Sequence, residues 1–272
     1  MTRLGRDASR HIVRIPGSSG GQLVLSWASS TDTGHRRSAN EDSVLADSPI
    51  FAVADGMGGH AAGDLASAAV VNRLSEAREG EFAELGRLIE ALEAATADID
   101  RVADDNALGV GTTVTGAALV MLNEVASFAV FNIGDSRVYR FYGGELSQIT
   151  VDHSVVQELV DSGIIHPDDA EFHPDSNVIT RAVGFNASPH PDYWMLAAVP
   201  GMRLLLCSDG LTKEVGRERL RLHLAAGMSP EDTVAALMDA ALAAGGRDNV
   251  SLIIVDVLEA PGADPQDTAP LR

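Results

Sequence analysis

Four widely separated aspartates, each in a tight-turn context beside an apolar run, constrain this chain more than any other feature. Asp55 ends the run that begins at Phe51 and is followed by Gly56. Asp135 stands between Gly134 and Ser136. Asp209 ends the run from Leu204 and is followed by Gly210. Asp248 lies in a turn with Gly245, Gly246 and Asn249. Three of these runs read as buried strands, and the last Asp precedes one. Strand-terminal residues project at the end of a sheet, where the chain can bring them together. Carboxylates gathered without compensation repel and do not ionise together. A hard divalent cation removes that cost and suits an all-oxygen ligand set. The pattern therefore predicts a magnesium or manganese site made mainly of Asp. A glycine after Asp55 and after Asp209 lets the backbone turn sharply, and its carbonyl can approach as a further ligand. Taken singly, each Asp-Gly or Asp-Asn pair is an ordinary turn; their combination is what departs from that.

At 272 residues, the chain has room for one large domain or two small ones, and 45% hydrophobic content supports a core. No apolar run approaches the roughly 18 residues needed to span a bilayer, and the N-terminus lacks the apolar stretch of a signal peptide. Cys207 is the only cysteine, which excludes an internal disulfide, fits a reducing compartment and leads us to expect a cytoplasmic protein. A net charge of −19 argues against a general nucleic-acid binder. We expect a monomer. Of 20 basic residues, only Lys213 is lysine.

Residues 1–21 carry Arg3, Arg6, Arg10 and Arg14 and end in Gly- and Ser-rich sequence, which reads as a disordered basic tail or a docking segment. Residues 259–272 read as a disordered end. The span 22–258 is taken as one domain. Strands are expected at 22–30, 50–54, 112–121, 125–132, 136–141, 202–207 and 250–258, with a hairpin turn at Gly143 and Gly144. Helices are expected at 61–78, 153–162, 216–226 and 230–244. A further helix is marked by Phe82, Leu85, Ile89, Leu92, Thr96, Ile99 and Ala103, which form one apolar stripe. Consecutive strands joined by tight turns favour antiparallel pairing with helices outside, an α+β fold of two sheets and two helical layers.

Six stretches occur in an order that is specific as a set: Arg37 to Asp42, Ala54 to Gly63, Gly111 to Thr113, Ile133 to Arg137, Leu206 to Leu211, and Asp248-Asn249. In them the chain resembles the metal-dependent serine/threonine protein phosphatases of type 2C, especially the bacterial branch, over about 30 to 257. The resemblance implies an α-β-β-α sandwich of two antiparallel sheets flanked by helices. It implies hydrolysis of phosphoserine and phosphothreonine by a water activated between two Mn2+ or Mg2+ ions. By position, Asp55 would bridge the two metals, Asp209 and Asp248 would complete the first, and the Gly56 carbonyl would help hold the second. Glu41 and Asp42 would orient waters, with Asn249 supporting them. Arg37 would grip the substrate phosphate, and Asp135 with Asp209 would form a weaker third metal site. Residues 152–190 correspond to the flap, and His60 is a candidate general acid or a helix cap. Phosphorylated proteins and their serine/threonine kinases would be the partners.

Other chemistries fit less well. A cysteine phosphatase needs an Arg where Lys213 follows Cys207, and Cys207 lies in an apolar run. Asp98 and Asp100 match the letters of a haloacid-dehalogenase-type motif, but they fall in the amphipathic helix, where they do not share a face. A calcineurin-type site needs a Gly-Asn-His segment, which is absent. A phosphoesterase for small metabolites and an inactive phosphoprotein-binding domain remain as alternatives.

Overall fold

The computed structural model describes residues 1–16, 21–58, 62–102, 109–185, 189–261 and 268–271. In chain order the elements begin with strands Thr2–Gly5 (β1), Ala8–Arg14 (β2), Gln22–Asp32 (β3), Asp42–Asp47 (β4) and Ile50–Met57 (β5). Helices Ala62–Glu76 (α1) and Leu85–Val102 (α2) follow. Then come strands Gly111–Thr112 (β6), Val114–Leu122 (β7), Val125–Ile133 (β8), Arg137–Tyr142 (β9) and Glu145–Gln148 (β10), helix Val155–Asp161 (α3), and strands Asp192–Ala197 (β11) and Arg203–Cys207 (β12). Short helix Asp209–Thr212 (α4), helices Arg217–Ala225 (α5) and Pro230–Ala244 (α6), and strands Val250–Glu259 (β13) and Thr268–Leu271 (β14) complete the chain.

One sheet runs β1-β4-β5-β7-β8-β11-β14 with β6 on β5, and the other runs β10-β9-β12-β13-β3-β2. Pairing is antiparallel throughout except between β1 and β4. Strand alternation builds the layers. Phe51 and Val53 of β5, Leu204 and Leu206 of β12, and Ile253 and Val255 of β13 meet between the sheets. Ala52 and Ala54 turn the other way, onto Val70 and Leu74 of α1 and Leu88 and Leu92 of α2. Leu205, Leu252 and Ile254 turn outward onto Leu220, Leu237 and Ala241 of α5 and α6. This is the four-layer sandwich expected.

The expected stripe on α2 is buried at Leu92, Thr96 and Ile99 but departs at Ile89. Leu88, Leu92, Ala95 and Ile99 are buried, whereas Ile89 is 39% exposed. Phe82 precedes the helix and packs against the core between the sheets. Ala103 lies outside the described residues.

The N-terminal arm corrects a larger expectation. Residues 2–14 are two strands, one on an edge of each sheet, rather than a disordered tail. The arginines lie on exposed alternate positions while Val13 and Ile15 enter the core. Arg3 pairs with Asp7 and Arg10 with Glu259, and the Trp27 indole donates to the Arg6 carbonyl at 2.9 Å. Of the expected disordered end, residues 268–271 pair with β11 as an edge strand that tolerates Pro270. Residues 262–267 are outside the described set.

Candidate functional site

At one end of the sandwich, the ends of β4, β5, β12 and β13 open onto a cavity of about 490 Å³, bordered by Arg37, Glu41, Asp55, Asp135, Asp209 and Asp248. Gly56, Asn249 and Lys213 also line it. The four aspartates expected to gather, Asp55, Asp135, Asp209 and Asp248, all line it.

Backbone pairing and close glycine contacts set each carboxylate. Asp42 opens β4 and lies opposite Asp55 in β5. Gly56 follows at a place where a Cβ would come within 2.1 Å of the Gly63 carbonyl, so α1 presses directly on this strand end. Gly210 does the same after Asp209, its would-be Cβ lying 1.9 Å from the Asn249 carbonyl. Thr112 and Thr113 both bond the Asp55 carbonyl, at 2.9 Å each. The Thr113 hydroxyl continues to the Asp55 amide at 3.1 Å and to the Ser136 hydroxyl at 2.8 Å. One threonine thus ties the Asp55 strand to the Asp135 turn. Gly134 enters that turn at φ +107°, where a side chain would collide with Thr113. The imidazole of His153 accepts from the Gly134 amide at 3.1 Å and meets Asp192 at 3.1 Å on its other nitrogen. Sequence reading passed over Thr113 as a motif letter and passed over His153 entirely; each acts by holding backbone, which leaves no chemical signature.

Asn249 fastens the loop that carries Arg37. Its amide donates to the carbonyls of Thr33 and Ala39 at 2.9 Å, and its oxygen accepts from the Glu41 amide at 2.8 Å. Arg37 holds Asp248 with two bonds, 2.7 Å and 2.8 Å long. Lys213 contacts Asp209 one helical turn away.

The electrostatics are those of an acidic cluster short of cations. Burial, and then Asp42, Asp209, Asp135 and Asp248, push the Asp55 carboxyl well above its ordinary value. Burial drives Asp42 up to about 7, with Asp209 and Asp248 adding to it. Asp135 is likewise pushed up to about 7 by burial and then by Asp209 and Asp152. One carboxylate oxygen of Asp42 and one of Asp209 are buried with no hydrogen-bond partner. Among the described residues, no three acidic, His or Cys side chains converge on a single point, since Asp248 is turned to Arg37 and Asp209 to Lys213. The donor set still fits hard divalent cations: all oxygen, short of positive charge and carrying orphaned lone pairs.

The rival motifs do not reach this cavity. Cys207 is fully buried, and burial pushes its thiol up to about 12. Asp98 is spent on Arg73, 2.6 Å away, and on Arg101. His60 lies outside the described residues.

A family model described as Protein phosphatase 2C matches residues 33–245. The chain belongs to this family. The chain is 41% identical over 244 residues to the serine/threonine protein phosphatase PstP of Mycobacterium tuberculosis, covering 87% of this chain and 46% of the relative. It therefore spans about half the length of that relative. It is 34% identical to the protein phosphatase PhpP of Streptococcus pneumoniae over 84% of this chain and 96% of the relative. The solved catalytic domain of serine/threonine protein phosphatase PstP, in complex with two manganese ions, superposes with a TM-score of 0.77. It is 37% identical, over 87% of this chain and 100% of that one. Among the described residues, no helix is long and apolar enough to cross a membrane.

Proposed function

We propose that this phosphatase 2C chain hydrolyses phosphoserine and phosphothreonine in proteins, opposing serine/threonine kinases. The observation that carries the reading is the single cavity holding Asp55, Asp135, Asp209 and Asp248 with too few cations to balance them. The manganese-bound relative supports two Mn2+ ions as the natural complement. Asp55 would hold both ions, Asp209 and Asp248 the first, and the Gly56 carbonyl the second. Glu41 and Asp42 would orient water. A third, weaker ion would lie between Asp135 and Asp209. When bound, the ions supply an activated water and positive charge for the phosphate oxygens.

The chain's own groups do the rest. Arg37 exchanges Asp248 for two phosphate oxygens, a geometry that its planar guanidinium offers and a lysine does not. Cys207 is buried away from the cavity, so a cysteinyl-phosphate has no place in the reaction and water displaces the seryl or threonyl oxygen in line. His60 is proposed as the proton donor to that oxygen from its place in the motif alone. Asn177 and Ile179, in the flap at 152–190, border the same cavity and would meet the peptide on either side of the phosphoresidue. We further propose that the protein acts as a cytoplasmic monomer.

The test compares a phosphothreonine peptide with nucleoside monophosphates, with Mn2+ and after chelation. Metal-dependent turnover that favours the peptide supports the proposal. Turnover that favours the nucleotides, or no turnover at all, contradicts it.

A further inference from the structure

Lys213 is the only lysine in the chain, and it stands in the acidic cavity. It caps α4 one turn after Asp209. Its side chain is 34% exposed, and its ammonium contacts the Asp209 carboxylate. A second bond, 2.6 Å long, joins the same ammonium to the Asn177 side-chain oxygen in the flap. The other cation bordering the cavity among the described residues is Arg37, and it is committed to Asp248. Arg137, beyond Asp135, is committed to Asp152 at 2.6 Å. Lys213 is therefore the cation in direct contact with a carboxylate at the Asp135 and Asp209 end of the cavity.

We propose that the Lys213 ammonium is an intramolecular competitor for the weakest divalent cation, the one between Asp135 and Asp209, and that filling that position releases Asn177 and loosens the flap. This rests on the third, weaker ion proposed above and goes beyond it.

The physical reason is exclusion. An ammonium bonded to one Asp209 oxygen and a dication at the same carboxylate, on its orphaned second oxygen, repel at short range. Four rotatable methylenes let the ammonium leave when the ion arrives. The lysine cannot then keep Asn177 in the same bond, so occupancy of the outer ion is transmitted to the flap. An ordinary helical ion pair at this spacing would have no such consequence. It would contribute little to stability, and its removal would leave metal binding unchanged.

The experiment counts Mn2+ bound to the wild-type chain, Lys213→Met and Lys213→Arg, using the electron paramagnetic resonance signal of free Mn2+. Two tight ions are expected in all three. The weakest ion should bind about tenfold or more tighter in Lys213→Met, since a like charge has left its site, whereas Lys213→Arg should keep it weak. Hydrogen exchange across residues 173–180 should rise as the weakest ion fills the wild type and should already be high in Lys213→Met. A weakest ion that is unchanged or weaker in Lys213→Met overturns the proposal, as does exchange in the flap that ignores both ion and substitution. Fewer than two tight ions in the wild type would overturn the two-ion reading itself, an outcome separate from the Lys213 comparison.

Discussion

Two of the constellations of buried charge among the described residues are resolved in opposite ways. Arg203 on β12 and Asp256 on β13 form a pair with two bonds of 2.6 Å. The remaining hydrogens of the guanidinium reach the Met228 carbonyl at 2.7 Å, the Thr233 hydroxyl at 3.0 Å and the Leu224 carbonyl at 3.4 Å. Every charge there is met from within the chain. At the end of the sandwich, Asp42 and Asp135 are also withdrawn from water and Asp55 is half-buried, yet burial and mutual repulsion push all three carboxyls upward, and carboxylate oxygens of Asp42 and Asp209 stay orphaned. A charge buried for architecture is neutralised internally; a charge buried for chemistry waits on something from outside.

The comparison breaks most easily at Asp55 and Asp209. Asp55→Asn and Asp209→Ala should each lower Mn2+-dependent hydrolysis by on the order of a thousandfold, with the fold intact by circular dichroism. Either variant retaining wild-type turnover would remove the metal role from that end.

Arg203→Ala should do the reverse. It leaves Asp256 buried and unpaired, so urea unfolding should show a loss of about 3–5 kcal/mol, while turnover per folded molecule stays near wild type.

The pH dependence of stability separates the two regions further. The folded-state values of Asp42 and Asp135, about 7, lie above the ordinary 3.8. Their stabilising contribution is fully present below that ordinary value and is lost as pH rises through about 7. With EDTA, the melting midpoint should therefore fall between about pH 5 and pH 8, and Mn2+ should restore it at the upper end. A chelated protein whose midpoint is flat across that range would contradict the buried acidic cluster.

Arg37 gives the smallest effect. Arg37→Ala removes a charge-assisted phosphate contact of about 1.5–3 kcal/mol, so kcat/KM for a phosphopeptide should fall about tenfold to a hundredfold, mainly through KM. Exposed Arg36 is the control. Equal losses at the two arginines in steady-state kinetics would sink the assignment.

Much of the acidic end was legible because its chemistry is local in sequence: an Asp, a small neighbour and an apolar run. The supports were not. Thr113 and His153 act on backbone atoms far away in sequence, and Lys213, one turn from Asp209 on α4, meets Asn177 only because the fold brings that loop to the end of α4. The sandwich followed from apolar runs joined by tight turns, with helical segments to cover the outer faces. The two N-terminal strands did not follow, because Arg-rich edge strands carry a weak apolar signal and owe their order to partners, β4 for one and β3 for the other. The expected α2 stripe departs at Ile89, which looks apolar to any periodicity count, while neighbouring Leu88 is buried in the core between helices and sheet.

The most direct measurement is calorimetric titration of Mn2+ into the wild-type chain and into Asp55→Asn at neutral pH. A metal centre organised on Asp55 requires two tightly bound ions in the wild type and loss of that pair in Asp55→Asn, with unchanged circular dichroism. Two ions bound equally tightly by both proteins would contradict it.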